Sequence, residues 1–137
     1  MRQVVIDTNA LIQSLPSRSQ YHQIWSDFIE GRFYLCVSNE ILSEYEEILS
    51  THTSPEIAHN VVEAIAHHPM TVYKESYFHF HLLRDIDKDD DKFVDCAIAA
   101  NAEYIVTEDR HFSILKQIPF PKINILSLDE FKDTLNR

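Results

Sequence analysis

Five carboxylates in this chain stand at positions that need an explanation. Asp7 ends the apolar run Val4-Val5-Ile6, and Asp109 closes the stretch Tyr104-Ile105-Val106-Thr107-Glu108. Glu44 lies three residues after Ile41 and four before Ile48, which borders it on the apolar stripe of a helix. Asp91 and Asp95 stand at i and i+4, one above the other on a helix, where like charges repel by a few tenths of a kcal/mol. A buried carboxylate is costly unless it is paired or coordinates a metal. Three or four carboxylates in one place cannot all stay ionised without cations. Mg²⁺ or Mn²⁺ takes such oxygen ligands, usually with a substrate phosphate completing the shell. Each acid also has a plain alternative. Asp7 can cap the next helix, Glu44 can pair at the rim with a Lys or Arg, and Asp89 or Asp90 can cap the helix that carries Asp91 and Asp95.

The elements that would position these acids follow from the hydropathy pattern. Val4-Val5-Ile6 is too short and too β-branched for a helix and reads as a buried strand. A short helix through Ala10-Leu11-Ile12 and Leu15 stops at Pro16, and Ser17 or Ser19 opens a second through Ile24, Trp25 and Phe28, closed by Gly31, the only glycine. Phe33 to Val37 is a second strand, and Ser38 caps a helix to about Ser50. Ser54-Pro55 opens another helix, and Met70 to Tyr73 is a third strand. The fourth strand is Tyr104 to Thr107 and the fifth Ile123 to Leu126. The last helix begins with a capping box, Ser127 with Glu130. The stretch 74–88 is irregular, and its aromatic cluster 77–81 either stacks single-stranded bases or packs against a helix or a second subunit.

Strands alternating with helices imply one mostly parallel five-stranded sheet, built by right-handed crossovers. Ligands of such sheets bind outside the carboxyl ends of the strands. Asp7 and Asp109 then fall on one edge, with Glu44 and Asp95 on helices that can converge on the same pocket.

Composition narrows the function. A chain of 137 residues fits one domain, residues 1–137. Twenty-two acidic against twelve basic residues give a formal charge of −10, which argues against a passive nucleic-acid binder held by phosphate contacts alone. It does not exclude a nuclease, because bound divalent cations reverse the local potential. Cys36 and Cys96 read as reduced core residues, and none of the eight histidines has the spacing of an established zinc site. With no signal-peptide pattern and no apolar run of membrane length, the expected location is cytoplasmic.

The ordered set of an apolar strand into Asp7-Thr8-Asn9, a helical Glu44, the run Asp89-Asp90-Asp91-Lys92-Phe93 into Asp95-Cys96-Ala97-Ile98-Ala99, and Tyr104 to Asp109 resembles the PIN-domain ribonucleases. The resemblance covers nearly the whole chain and is closest to small bacterial PIN proteins of the VapC type, toxin components of toxin–antitoxin pairs. It implies a three-layer α/β domain with helices on both faces of the sheet, and a metal-dependent endoribonuclease. Asp7, Glu44, Asp95 and Asp109 would be the acidic quartet, Asp91 a fifth acid, and Asn9 and Thr107 accessory polar positions. One or two Mg²⁺ or Mn²⁺ ions would activate water for attack on RNA, leaving 5′-phosphate and 3′-hydroxyl ends. Arg110, Lys92 and Lys88 would meet flanking phosphates or act as counter-ions. The resemblance also implies a homodimer and a cognate antitoxin whose extended or helical segment covers the site, against the apolar face around Leu11, Leu15 and Trp25. Where close relatives tend to have glycine, this chain has Asn101-Ala102-Glu103 and Glu108, and the second change adds a negative charge beside the site.

Two other classes fit less well. A signalling receiver needs a phosphoacceptor Asp ending the third strand, where Tyr73-Lys74 stands. A haloacid-dehalogenase-type phosphatase needs an acid two residues after Asp7, where Asn9 stands. The remaining rival is a catalytically silent PIN fold that binds RNA or protein.

Overall fold

The computed structural model describes residues 1–75, 90–118 and 122–137. Its centre is a five-stranded sheet, parallel throughout, in the order β3-β2-β1-β4-β5. The strands are β1 Gln3–Ile6, β2 Tyr34–Val37, β3 Thr71–Tyr73, β4 Tyr104–Val106 and β5 Ile125–Leu126. Val4, Val5, Leu35, Cys36, Val37, Ile105 and Val106 are essentially inaccessible to solvent, as continuous apolar strands of a sheet covered on both faces should be.

The described helices are α1 Thr8–Ser14, α2 His22–Ile29, α3 Asn39–His52, α4 Pro55–Ala66, α5 Asp91–Ala100 and α6 Leu128–Leu135, with a 3₁₀ segment Arg110–Gln117. The chain steps from β1 outward to β2 and β3, then crosses back to β4 and β5 on the other side of β1. Right-handed crossovers in opposite directions lie on opposite faces, so helices flank the sheet on both sides. None of the helices among the described residues is long and apolar enough to cross a membrane.

Local chemistry sets the boundaries. Ser38 accepts from the Ile41 amide and Ser54 from the Ile57 amide, and Pro55 occupies the first turn of α4. The Ser127–Glu130 capping box opens α6. Gly31 has φ +82°, the left-handed conformation that ends α2. Asn101 ends α5 at φ +54°, a left-handed conformation that asparagine tolerates better than most side chains.

Three expectations change. Tyr21, not Ser17 or Ser19, stands at the α2 N-cap, and the Ser19 hydroxyl, two residues earlier, accepts from the Tyr21 amide. Asp90 precedes α5 but makes no side-chain cap, and one of its oxygens lies within 4.8 Å of ligand atoms of Asp109 and His111. Leu11 is core, so the apolar face expected around Leu11, Leu15 and Trp25 is a groove of about 500 Å³ lined by Ile12, Leu15, Trp25, Leu49, Ile57 and Val61 among others. The aromatic cluster 77–81, Lys88 and Asp89 lie outside the described residues. Cys36 and Cys96 are free and buried, and burial pushes their thiols up to about 11 and about 12, leaving them inert.

Candidate active site

The reversal of strand order falls between β1 and β4, and the site occupies that crevice at the carboxyl edge. The register pairs Ile6 with Val106, and the Asp7 amide donates to the Val106 carbonyl at 3.0 Å. The two strands therefore deliver Asp7 and the Thr107-Glu108-Asp109 segment side by side.

Asp7 is 5% exposed and both of its oxygens are engaged. Oδ1 accepts from the Thr8 amide at 2.9 Å, and Oδ2 accepts from the Thr107 hydroxyl at 2.9 Å. Capping and pocket placement thus coexist in one side chain. Burial pushes the Asp7 carboxyl up to about 6, and the charges of Glu44 and Asp109 push the same way, while the bonds from Thr107 and Thr8 oppose the rise. The influence of Glu44 and Asp109 on Asp7 brings three of the expected quartet into one electrostatic site. Thr107 joins two of them, since its hydroxyl also accepts from the Asp109 amide at 3.0 Å.

Glu44 enters from α3, partly buried. One oxygen accepts from the Thr8 hydroxyl and the other from Lys92 Nζ at 2.8 Å. The pairing at the rim therefore occurs, within the pocket and not away from it. Beyond Glu44 and Lys92, a groove of about 530 Å³ opens along α3 past Asn39, Glu40, Ser43 and Glu47.

α5 supplies the other wall and packs on β1, β2, β4 and α3. Asp91 and Asp95 are both buried, one turn apart. Asp91 lies in sequence between Asp90 and Lys92, whose side chains reach Asp109 and Glu44, and Asp95 follows one turn further in. Asn9 and Arg110 are exposed at the starts of α1 and the 3₁₀ segment. Glu108, the extra charge expected beside the site, is turned outward and accepts from the Leu128 amide at 2.7 Å, at the start of α6.

The third acidic corner joins Asp109 to two residues given no site role by the sequence, Asp90 and His111. One ligand atom each from Asp90, Asp109 and His111 lies within 4.8 Å of the other two. Asp109 Oδ1 also accepts from the His111 amide at 2.9 Å. His111 was legible only as the second residue after a strand-end acid, a spacing that fits no zinc motif. Thr8 bonds both Asp7 and Glu44, a role that its place in the Asp7-Thr8-Asn9 motif does not announce. Tyr45 is a further positioning residue: fully buried on α3, it donates to the carbonyl of Ile6, fixing the peptide that precedes Asp7. The donor set fits a hard divalent cation. Carboxylate oxygens predominate, one imidazole adjoins them, and a buried carboxyl beside two other acids is stabilised when a cation joins it.

A family model described as PIN domain matches residues 3–111. Comparison with curated protein sequences gives no match. Among solved structures, the chain is similar to VapBC2 from Rickettsia felis bound to a DNA fragment from its promoter, with a TM-score of 0.63 at 16% identity over 91% of this chain and 98% of that one. It is similar to DNA-bound VapBC from Salmonella typhimurium, with a TM-score of 0.61 at 18% identity over 93% and 99% of the two chains. It also resembles Mycobacterium tuberculosis VapC20, a toxin that cleaves the sarcin–ricin loop, with a TM-score of 0.60 at 13% identity over 81% and 93%. At these identities the likeness is one of fold.

Proposed function

The chain belongs to the PIN-domain family, and on that premise we propose that it is a cytoplasmic endoribonuclease dependent on Mg²⁺ or Mn²⁺, the toxin of a toxin–antitoxin pair. The observation that carries this reading is Asp7, a buried carboxyl between the charges of Glu44 and Asp109 at the strand-order reversal. An arrangement that raises the cost of its own ionisation is what a cation site requires and what a purely structural acid avoids.

In this reading Asp7, Glu44, Asp95 and Asp109 are the acids of the site, and Asp91 is the fifth. A bound divalent ion would polarise the scissile phosphodiester and lower the pKa of bound water. The chain's own contribution is orientation. Thr107 and Thr8 hold both oxygens of Asp7, and Tyr45 holds the backbone just before it. Arg110, exposed beside Asp109, meets a flanking phosphate of the RNA, and Asn9 lies near enough in sequence to Asp7 to contact substrate. Hydrolysis leaves 5′-phosphate and 3′-hydroxyl ends. The apolar groove of Leu15, Trp25 and Ile57 receives an apolar segment of the antitoxin, and two copies of the chain pair as a homodimer.

Cleavage of a mixed single-stranded RNA panel with Mg²⁺ or Mn²⁺, against EDTA, tests the assignment on wild type, Asp7→Asn and Asp95→Asn. Metal-dependent cutting that disappears in both variants is expected. Cutting retained in both would remove these acids from the reaction. A silent PIN module that binds RNA or protein is the second reading, and the Lys92–Glu44 ion pair favours it, because that pair already neutralises one acid of the site.

A further inference from the structure

The acidic pocket has two unlike ends. At one, both oxygens of Glu44 are committed, to the Thr8 hydroxyl and to Lys92 Nζ at 2.8 Å. The ion pair is largely shielded, with Lys92 and Glu44 side chains 18% and 21% exposed. At that depth an ammonium is not readily exchanged for water, since separating a shielded pair leaves two poorly solvated charges. At the other end, Asp90, Asp109 and His111 present two oxygens and a nitrogen within 4.8 Å of one another. Asp7 lies under the influence of both ends.

We propose that this site takes a single divalent cation, at the Asp109 end with His111 among its ligands, and that the Lys92 ammonium on Glu44 stands in place of a second. The inference rests on the metal-dependent reading above and deepens it. Two-metal phosphodiesterases place cations on both sides of the reacting phosphate. Here one of those charges is built into the chain. A lysine is a compact point charge with no open coordination position, so it can neutralise phosphate but cannot activate water. Water activation then belongs to the Asp109 end alone. The imidazole also biases the choice of ion, because nitrogen donors suit Mn²⁺ better than Mg²⁺, whose preference is for oxygen.

Binding of Mn²⁺ alone, counted by titration calorimetry and by electron paramagnetic resonance on the full chain, decides it. Wild type should bind one ion, Lys92→Gln two, and Lys92→Gln combined with Glu44→Gln one again, because the second ion needs the freed carboxylate. His111→Gln should weaken Mn²⁺ about tenfold and Mg²⁺ by less. Two ions on wild type would overturn the proposal without any variant. A single ion on Lys92→Gln would overturn the role of Lys92, and unchanged Mn²⁺ affinity in His111→Gln would remove the imidazole. These outcomes separate from those of the RNA assay. One ion with no RNA cleavage leaves this inference standing while the nuclease reading falls, and two ions with metal-dependent cleavage do the reverse.

Discussion

Asp7 and Glu44 are carboxylates of one pocket, both hydrogen-bonded to Thr8, yet they sit in opposite electrostatic circumstances. Glu44 has an ammonium against it. Among the described residues Asp7 receives only neutral donors, an amide and a hydroxyl, and feels two other acids. Glu44 therefore has its counter-charge within the fold, whereas burial and the neighbouring acids disfavour the charged form of Asp7. A fold keeps an acid of the first kind for stability, and of the second kind only for something outside the chain that will bind it.

The sharpest way to break that comparison is Asp7→Asn. Cleavage should fall by about a thousandfold, as expected when a group that organises transition-state charge is lost. The folded state should gain stability at the same time. The rise of the Asp7 pKa from 3.8 to about 6 corresponds to about 3 kcal/mol at neutral pH, an upper bound read by urea denaturation in EDTA. A loss of both activity and stability would show that Asp7 is structural.

The same shift predicts a pH dependence. A carboxyl whose folded pKa lies above its unfolded value binds more protons in the native state, so its contribution is complete below about pH 4 and lost as pH rises through about 6. In EDTA, wild type should therefore lose stability relative to Asp7→Asn across that window, and added Mn²⁺ should restore it. Parallel curves would mean that no cost attaches to Asp7.

Glu44→Gln should have the opposite sign, destabilising the fold by about 1–2 kcal/mol because it leaves the shielded Lys92 without its counter-charge. Thermal melts of the two variants side by side make the contrast visible. Thr107→Val removes the donor to Asp7 and the acceptor for the Asp109 amide. A loss of about 1 kcal/mol is expected, with a larger fall in kcat than in KM if the threonine orients the acids. Ile57→Glu, on the rim of the apolar groove and 49% exposed, should change stability by less than about 0.5 kcal/mol. It should leave cleavage intact while weakening capture of an antitoxin, measured by co-purification.

Much of this was legible because strands β1, β2 and β4 are continuous apolar runs that end at polar residues, and because Ser38, Ser54-Pro55 and Ser127–Glu130 mark helix starts by a local bond that needs no tertiary context. Asp7 and Asp109 could be placed on one edge from the alternation of strands and helices, which implies a parallel sheet with its carboxyl ends together. The contacts within the site were not legible in the same way. Thr8 bonds a residue 36 positions away and Lys92 one 48 away. Nothing in local spacing indicates which acid a lysine will choose. Asp90 differs for the opposite reason: an Asp before a helix is a good cap by local rules, yet its side chain makes no cap bond and lies beside Asp109 and His111.

The pairing of β1 with β4 also bears on how the site comes into being. Asp7 and Thr107 are separated by 100 residues, and the two strands can join only after the intervening chain has been made. Contacts of such sequence separation form late, because loop closure must be met before they reward it. During synthesis the first acid emerges long before its neighbours, so an incomplete chain carries Asp7 on an open strand edge with nothing to complete the pocket. Whatever chemistry the pocket performs is thereby deferred until the domain is nearly whole. The cost is a β1 edge that stays available for mispairing until β4 arrives.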